Sequence, residues 1–280
     1  MRASRQGKTI NNVRRSLCPL LVAALLCIST TRATSFSTDQ SDIYNALNES
    51  GWAVEFIHRG STIFAVLYVY DESNNPVWYS ATLEFVQAGF GSLTWSGDLY
   101  ATKGPWFGTA PFDSSQVTLR KVGSMTWLAQ TPTSGSLSYG IDGVQVTKAL
   151  SRVLIRYDDF SGHYSGGIHE VVTGAGCGLT GTMEKPGFIY VTQNGQAVTV
   201  QILALDSPAS CTYLGTSTQA GQMGSVSGTF TCNTGARGSF SFFEMQVNQS
   251  GITARTALTY TAPVGCKSTG WFGGFRGTTF

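Results

Sequence analysis

The chain has 280 residues, and only 12% of them are charged, about half the usual share. With 33 glycines, 16 phenylalanines, 11 tyrosines and six tryptophans, it lacks the Lys and Glu that long solvated helices need and suits short strands with tight turns; the length fits one or two domains. The formal charge of +2 sits in the first 33 residues, which hold six of the 18 basic residues and no acid, so the rest carries 12 basic against 16 acidic residues, a net −4, which removes the case for a basic nucleic-acid-binding surface.

Residues 1–16 contain Arg2, Arg5, Lys8, Arg14 and Arg15. An apolar run of 12 residues, LCPLLVAALLCI, follows, and Thr31-Arg32-Ala33 puts small residues at the −3 and −1 positions of a cleavage site. This predicts a signal peptide over residues 1–33, too short for a permanent anchor, and a secreted or periplasmic mature chain without a transmembrane helix. A lipoprotein reading at Cys27 meets Leu26 where a small residue is wanted, and the flanks of Arg14-Arg15 match a twin-arginine signal poorly. Cys18 and Cys27 leave with the leader. Cys177, Cys211, Cys232 and Cys266 remain, without C-x-x-C spacing, so two structural disulfides are expected rather than a zinc or redox site.

Residues 34–50 form a polar lead-in, and SDIYNALNES within it reads as one helical turn or a loose segment. From Gly51 the pattern is strand, turn, strand. Strands are expected near 52–58, 62–70, 76–84, 90–96, 116–121, 124–129, 135–139 and 143–147, separated by turn signals such as RGS, DESNNP and GIDG. KALSRVLIRY, 148–157, is open between strand and short helix. The cysteines and many glycines lie beyond it, which puts a boundary near Asp158 between an aromatic-rich β domain, 51–157, and a disulfide-bearing, Gly-rich one, 158–280. Strands follow near 160–172, 177–184, 187–193, 196–205, 210–217, 223–232, 237–247, 251–260 and 268–276, with Asn194-Gly195 as a type I′ hairpin turn. The fold class is all-β: antiparallel meanders forming two small barrels or sandwiches, either separate or as one continuous sheet system. Cys211 and Cys232 fall at the outer ends of consecutive strands and are expected to pair across them. Cys177 and Cys266 would then tie early strands to late ones.

Residues 51–156 resemble a module found in many uncharacterised secreted proteins of proteobacteria. The marks are Gly51-Trp52, Tyr70-Asp71, PVWY at 76–79, Gly97-x-Leu99-Tyr100 and GVQVTK at 143–148. Asn75 stands where such modules often carry glycine. The resemblance implies a fold and an exported location, and no activity.

Among candidate sites, aromatic residues come first. Trp52, Tyr68, Tyr70, Trp78, Tyr79, Trp95, Tyr100 and Trp106 crowd the first domain. On strand 62–70, Phe64, Val66, Tyr68 and Tyr70 share one face and Ile63, Ala65, Leu67 and Val69 the other. The larger face either packs a core or forms a stacking platform for sugar rings or another flat ligand. Trp52, Tyr68, Tyr70, Trp78 and Trp106 are the candidate ligand-binding residues, Trp106 being the best placed for exposure. A lipid-facing barrel would also explain apolar strands, but Thr278, Arg276 and Gly274 break the final alternation and many strands are short for spanning.

His163 and His169 on one strand would lie about 20 Å apart, which disfavours a shared metal. GSVSG at 224–228 has its serines at the wrong offsets for a nucleophile elbow. GCGLTG at 176–181 precedes a strand, not a helix, and so offers no phosphate cradle. Glu55, Asp71, Glu72, Asp98, Asp158 and Asp159 supply carboxylates for glycoside hydrolysis only if two converge, and Asp71 and Asp158 have a simpler role in turns. No catalytic residue, metal or cofactor is assigned. The expectation is a non-catalytic binding or surface-interaction module, whose partner is a glycan, a small apolar ligand or an envelope protein. A structural envelope-assembly role, a carbohydrate-active hydrolase and an outer-membrane barrel are the alternatives.

Overall fold

The computed structural model describes residues 39–89 and 91–277. The expected signal peptide lies outside the described residues. Eight strands run β1 (Asp42–Asn45), β2 (Ala53–Arg59), β3 (Thr62–Tyr70), β4 (Pro76–Gly89), β5 (Ser92–Lys103), β6 (Thr118–Ala129), β7 (Ser134–Ile141) and β8 (Val144–Arg152). Eight more follow: β9 (Gly162–Thr173), β10 (Gly181–Asn194), β11 (Ala197–Ala204), β12 (Ser210–Ala220), β13 (Met223–Cys232), β14 (Arg237–Val247), β15 (Gly251–Ala262) and β16 (Lys267–Arg276). Each set closes into an antiparallel up-and-down barrel, β1 pairing with β8 in the first and β9 with β16 in the second. The fold is therefore all-β, built as two closed barrels rather than sandwiches or one continuous sheet.

The differences from the expected strands are local. Asp42–Asn45, read as a helical turn or loose lead-in, is β1, and it closes the first barrel through only two residue pairs with β8, Tyr44 with Arg152 and Asn45 with Ser151. Segments 116–121 and 124–129 are one strand, β6, because Gly123 does not break it. A Cβ there would fall 2.1 Å from the Gly140 carbonyl of β7, so glycine marks close backbone approach. The expected break before residue 187 is likewise absent: Pro186 sits inside β10, one residue beyond the last pair with β11 (Gly187 with Ala204), so no ladder bond on that side needs its N–H. The ambiguous segment 148–157 is strand only to Arg152.

Alternation along the strands fills both barrels. In β3, Ile63, Ala65 and Leu67 point inward and are fully buried. Against them, Tyr44, Phe56 and Trp127 form a ring cluster with centroids 5.1–5.2 Å apart. Trp127 keeps its polar edge satisfied by donating from Nε1 to Gln40 Oε1 at 3.2 Å. The second core is built on Phe242, whose ring lies 4.5–5.0 Å from Phe240, Tyr213 and Phe272. Outside the second barrel, β12–β14 present exposed Thr216, Ser227, Thr229 and Ser239 together with Leu214.

The barrels meet through the β12–β13 turn. Gln222 donates its backbone N–H to Asp42 Oδ2 at 3.0 Å and its side-chain amide to the Ser41 carbonyl. The turn comes this close because residue 221 is glycine, at φ +57; a Cβ would lie 2.1 Å from Asp42 Oδ2. The same Asp42 oxygen pairs with Arg152 Nη1 at 3.0 Å. Arg152 also donates to the carbonyls of Pro132, Ser41 and Asp39 and lies over the Tyr44 ring. One buried guanidinium thus secures the β1–β8 seam and backs the joint.

Two disulfides tie the second barrel. Cys211 and Cys232 face each other across β12 and β13. Cys177, between β9 and β10, joins Cys266, one residue before β16, and so staples the seam where the first and last strands of this barrel meet.

Candidate functional site

The aromatic face of β3 turns outward. Phe64, Tyr68 and Tyr70 are 44%, 43% and 59% exposed, while the smaller face fills the core. The register extends the patch to both neighbours: Phe64 lies opposite Ile57 of β2, and Tyr68 opposite Trp78 of β4, itself 50% exposed. Tyr100 of β5, partly buried, adjoins the same face opposite Ser80. The result is a continuous apolar and aromatic surface across β2, β3 and β4 on a closed, filled barrel. Isolated exposed apolar residues are ordinary, but a contiguous cluster of large ones indicates a contact surface.

Polar groups are set into this face. Tyr68 donates its hydroxyl hydrogen to Glu55 Oε2 at 3.1 Å, and partial burial followed by this bond raises its phenol above the ordinary tyrosine range. Lys121 pairs with Asp98 at 2.8 Å near Tyr100. Tyr70 is supported from the turn before β2. Its ring would lie 3.0–3.1 Å from a Cβ on Gly51, which sits at φ +90. Glycine there answers both the left-handed backbone and the space the ring occupies.

The β3–β4 turn below Trp78 is held by Asp71. Its carboxylate accepts the amides of Ser73 and Asn75, each at 2.9 Å, and these bonds, with Asn75 foremost, hold it below the ordinary carboxylate range. Asn74 takes the positive φ of 62° that the turn requires. Asp71 is therefore a turn residue, with both carboxylate oxygens committed to its own loop.

Of the five expected ligand-binding residues, Tyr68, Tyr70 and Trp78 come together on this face. Trp52 does not join them: it packs against the first core, donates from Nε1 to Tyr139 Oη at 3.1 Å, and carries the Lys148 ammonium 5.5 Å above its ring. Trp106 lies in the long β5–β6 connection, 69% exposed, with its ring over Gly108 and against Phe107. Phe64 and Ile57 belong to the face as well. Their signal is present, since both fall in the outward phase of their strands.

The carboxylates are dispersed. Glu55 and Asp98 serve Tyr68 and Lys121, whereas Asp158 and Asp159 lie at the entry to the second barrel, bonded to Gln219 and Ser161. His163 and His169 both face outward, but against different neighbours: His163 packs on Tyr190, and His169 stacks on Trp271 at 3.9 Å while bonding Glu184. Glu170 turns inward, away from both. Among the described residues no group of three or more His, Cys, Asp or Glu side chains is placed to hold a metal, and no helix is long and apolar enough to cross a membrane. Comparison with known protein families and with curated proteins finds no match to this chain.

Proposed function

We propose that this is an exported, non-catalytic binding protein that presents the outer face of β2–β4 to a ligand with flat apolar rings, such as the sugar rings of a glycan. The observation that carries the reading is the contiguous outward set Ile57, Phe64, Tyr68, Tyr70 and Trp78, large apolar side chains 43–59% exposed on strands whose inner faces already fill a core. Aromatic faces give sugars and other rings stacking area at low entropic cost. Glu55, at the edge of the patch, supplies an acceptor that can orient hydroxyls. Export is supported by the leader sequence, by two disulfides suited to an oxidising compartment, and by the resemblance of residues 51–156 to a module of secreted proteins. The exposed Thr216, Ser227, Thr229 and Ser239 of β12–β14 favour a protein surrounded by water over an outer-membrane barrel.

Titration of the purified protein with a panel of oligosaccharides and aromatic small molecules, followed by tryptophan fluorescence, tests this. A saturable change is expected with at least one class, and Trp78→Ala should weaken it about tenfold or more, given the stacking and burial lost. A flat response across the panel, or unchanged affinity in Trp78→Ala, contradicts the reading.

A further inference from the structure

The second barrel has a feature separate from that face. At the end closed by the two disulfides, its interior opens into a cavity of about 200 Å³. Ile202 and the Cys211–Cys232 bridge form apolar walls, and Tyr213, Tyr260, Glu170 and, at the rim, Lys185 supply the polar groups. A charged residue inside a barrel is unusual. Glu170 stands between Ile168 and Val172 on the inward phase of β9 and is 7% exposed. Its carboxylate has little to satisfy it: Ser268 Oγ donates at a long 3.4 Å, and the Lys185 ammonium, on a side chain 42% exposed at the rim, stops 3.9 Å away. Tyr213 is 4% exposed, and its hydroxyl has no hydrogen-bond partner among the described residues although it lines the cavity. Burial first, and then the Glu170 charge, hold this phenol protonated far beyond the ordinary range. Both groups border the cavity with few protein partners, so a guest seated there meets an acceptor and a hydroxyl with bonding capacity to spare.

We propose that this mouth binds a small organic cation, a compact apolar body carrying a protonated amine. The ammonium supplies donors to the Glu170 carboxylate and the Tyr213 oxygen. The tyrosine rings offer it their electron-rich faces, and the apolar walls take the body. An anion would find only Lys185, at the rim, to pair with, and would face the Glu170 carboxylate deeper in. The volume, below the roughly 300–1,000 Å³ of drug-sized sites, limits the guest to a fragment. The site lies on a different barrel from the aromatic face, so either can fail without the other.

Calorimetry at neutral pH with benzylamine, benzyl alcohol and phenylacetate tests the assignment. Benzylamine should bind, with the alcohol about tenfold weaker or more and phenylacetate weaker still. Glu170→Gln should abolish the preference for amine over alcohol. Lys185→Met, a rim change that removes a competing ammonium, should tighten benzylamine about threefold, an effect that a merely structural Lys185 would not produce. Where Glu170→Gln does not fold, Tyr213→Phe, which keeps the ring, should cost about threefold in benzylamine affinity. No binding of benzylamine, equal binding of amine and alcohol, preference for phenylacetate, or weaker binding in Lys185→Met overturns the proposal.

Discussion

Replacing Arg152 with methionine should lower the stability of the first barrel by about 3 kcal/mol, the lower end of the range for breaking a buried ion pair. The guanidinium is fully buried. Its removal strands the carbonyls of Asp39, Ser41 and Pro132 and takes the countercharge from Asp42. Asp42 keeps the N–H groups of Ile43 and Gln222 as donors, which holds the loss to the lower end. The effect is large because β1 meets β8 through so few residues that the ladder alone closes the seam weakly. Urea unfolding followed by fluorescence in a Trp271→Phe background isolates the first barrel, which holds the other five tryptophans. A loss below about 1 kcal/mol, the value of an exposed pair, would mean that Arg152 does not hold the seam.

The double variant Cys177→Ser/Cys266→Ser should destabilise the second barrel by about 3–5 kcal/mol. The bridge joins residues 89 apart and spans the β9–β16 closure, so cutting it frees a long loop in the unfolded chain. The Cys211–Cys232 bridge closes only 21 residues between strands already paired, and its loss should cost less. Trp271, the single tryptophan of the second barrel, reports this transition. The first barrel contains neither bridge, and its unfolding should not move. Equal destabilisation of both barrels, or a greater loss from removing Cys211–Cys232, would contradict this account of the seam.

Much of this architecture is legible in the sequence because turn chemistry marks it. DESNNP fixes the β3–β4 hairpin, with Asp71 bonding its own loop, and TQNGQ fixes β10–β11, with Gly195 at φ +59. Cys211 and Cys232 end consecutive strands, so antiparallel geometry brings them opposite one another. β1 is hidden by its length: four residues carry too little alternation to register, and its strand character comes from partners far along the chain. Gly123 and Pro186 read as breaks because their tertiary reasons, a close carbonyl and the end of a ladder, are invisible locally. The direction of the aromatic face is likewise not set by the strand itself. Every position of β3 from Ile63 to Tyr70 is apolar or aromatic. What decides the phase is space: the interior already holds Tyr44, Phe56, Trp95 and Trp127, and the facing Ala65–Ala81 pair leaves room for them. Glu170 is a signal that spacing does reveal, an acid on the apolar phase between Ile168 and Val172, though the unmet phenol of Tyr213 beside the same cavity appears only in three dimensions.

The orientation of β3 and its neighbours carries the whole account, and fluorine NMR of protein labelled with 5-fluorotryptophan tests it most directly. Six resonances are available, one for each tryptophan. With a soluble paramagnetic relaxation agent, Trp78, Trp106 and Trp271 should broaden first, Trp52 less, and Trp95 and Trp127 least, in line with their exposure. A protected Trp78 together with a broadened Trp127 would mean that the strands pack with the opposite phase, and the outer aromatic face would not exist.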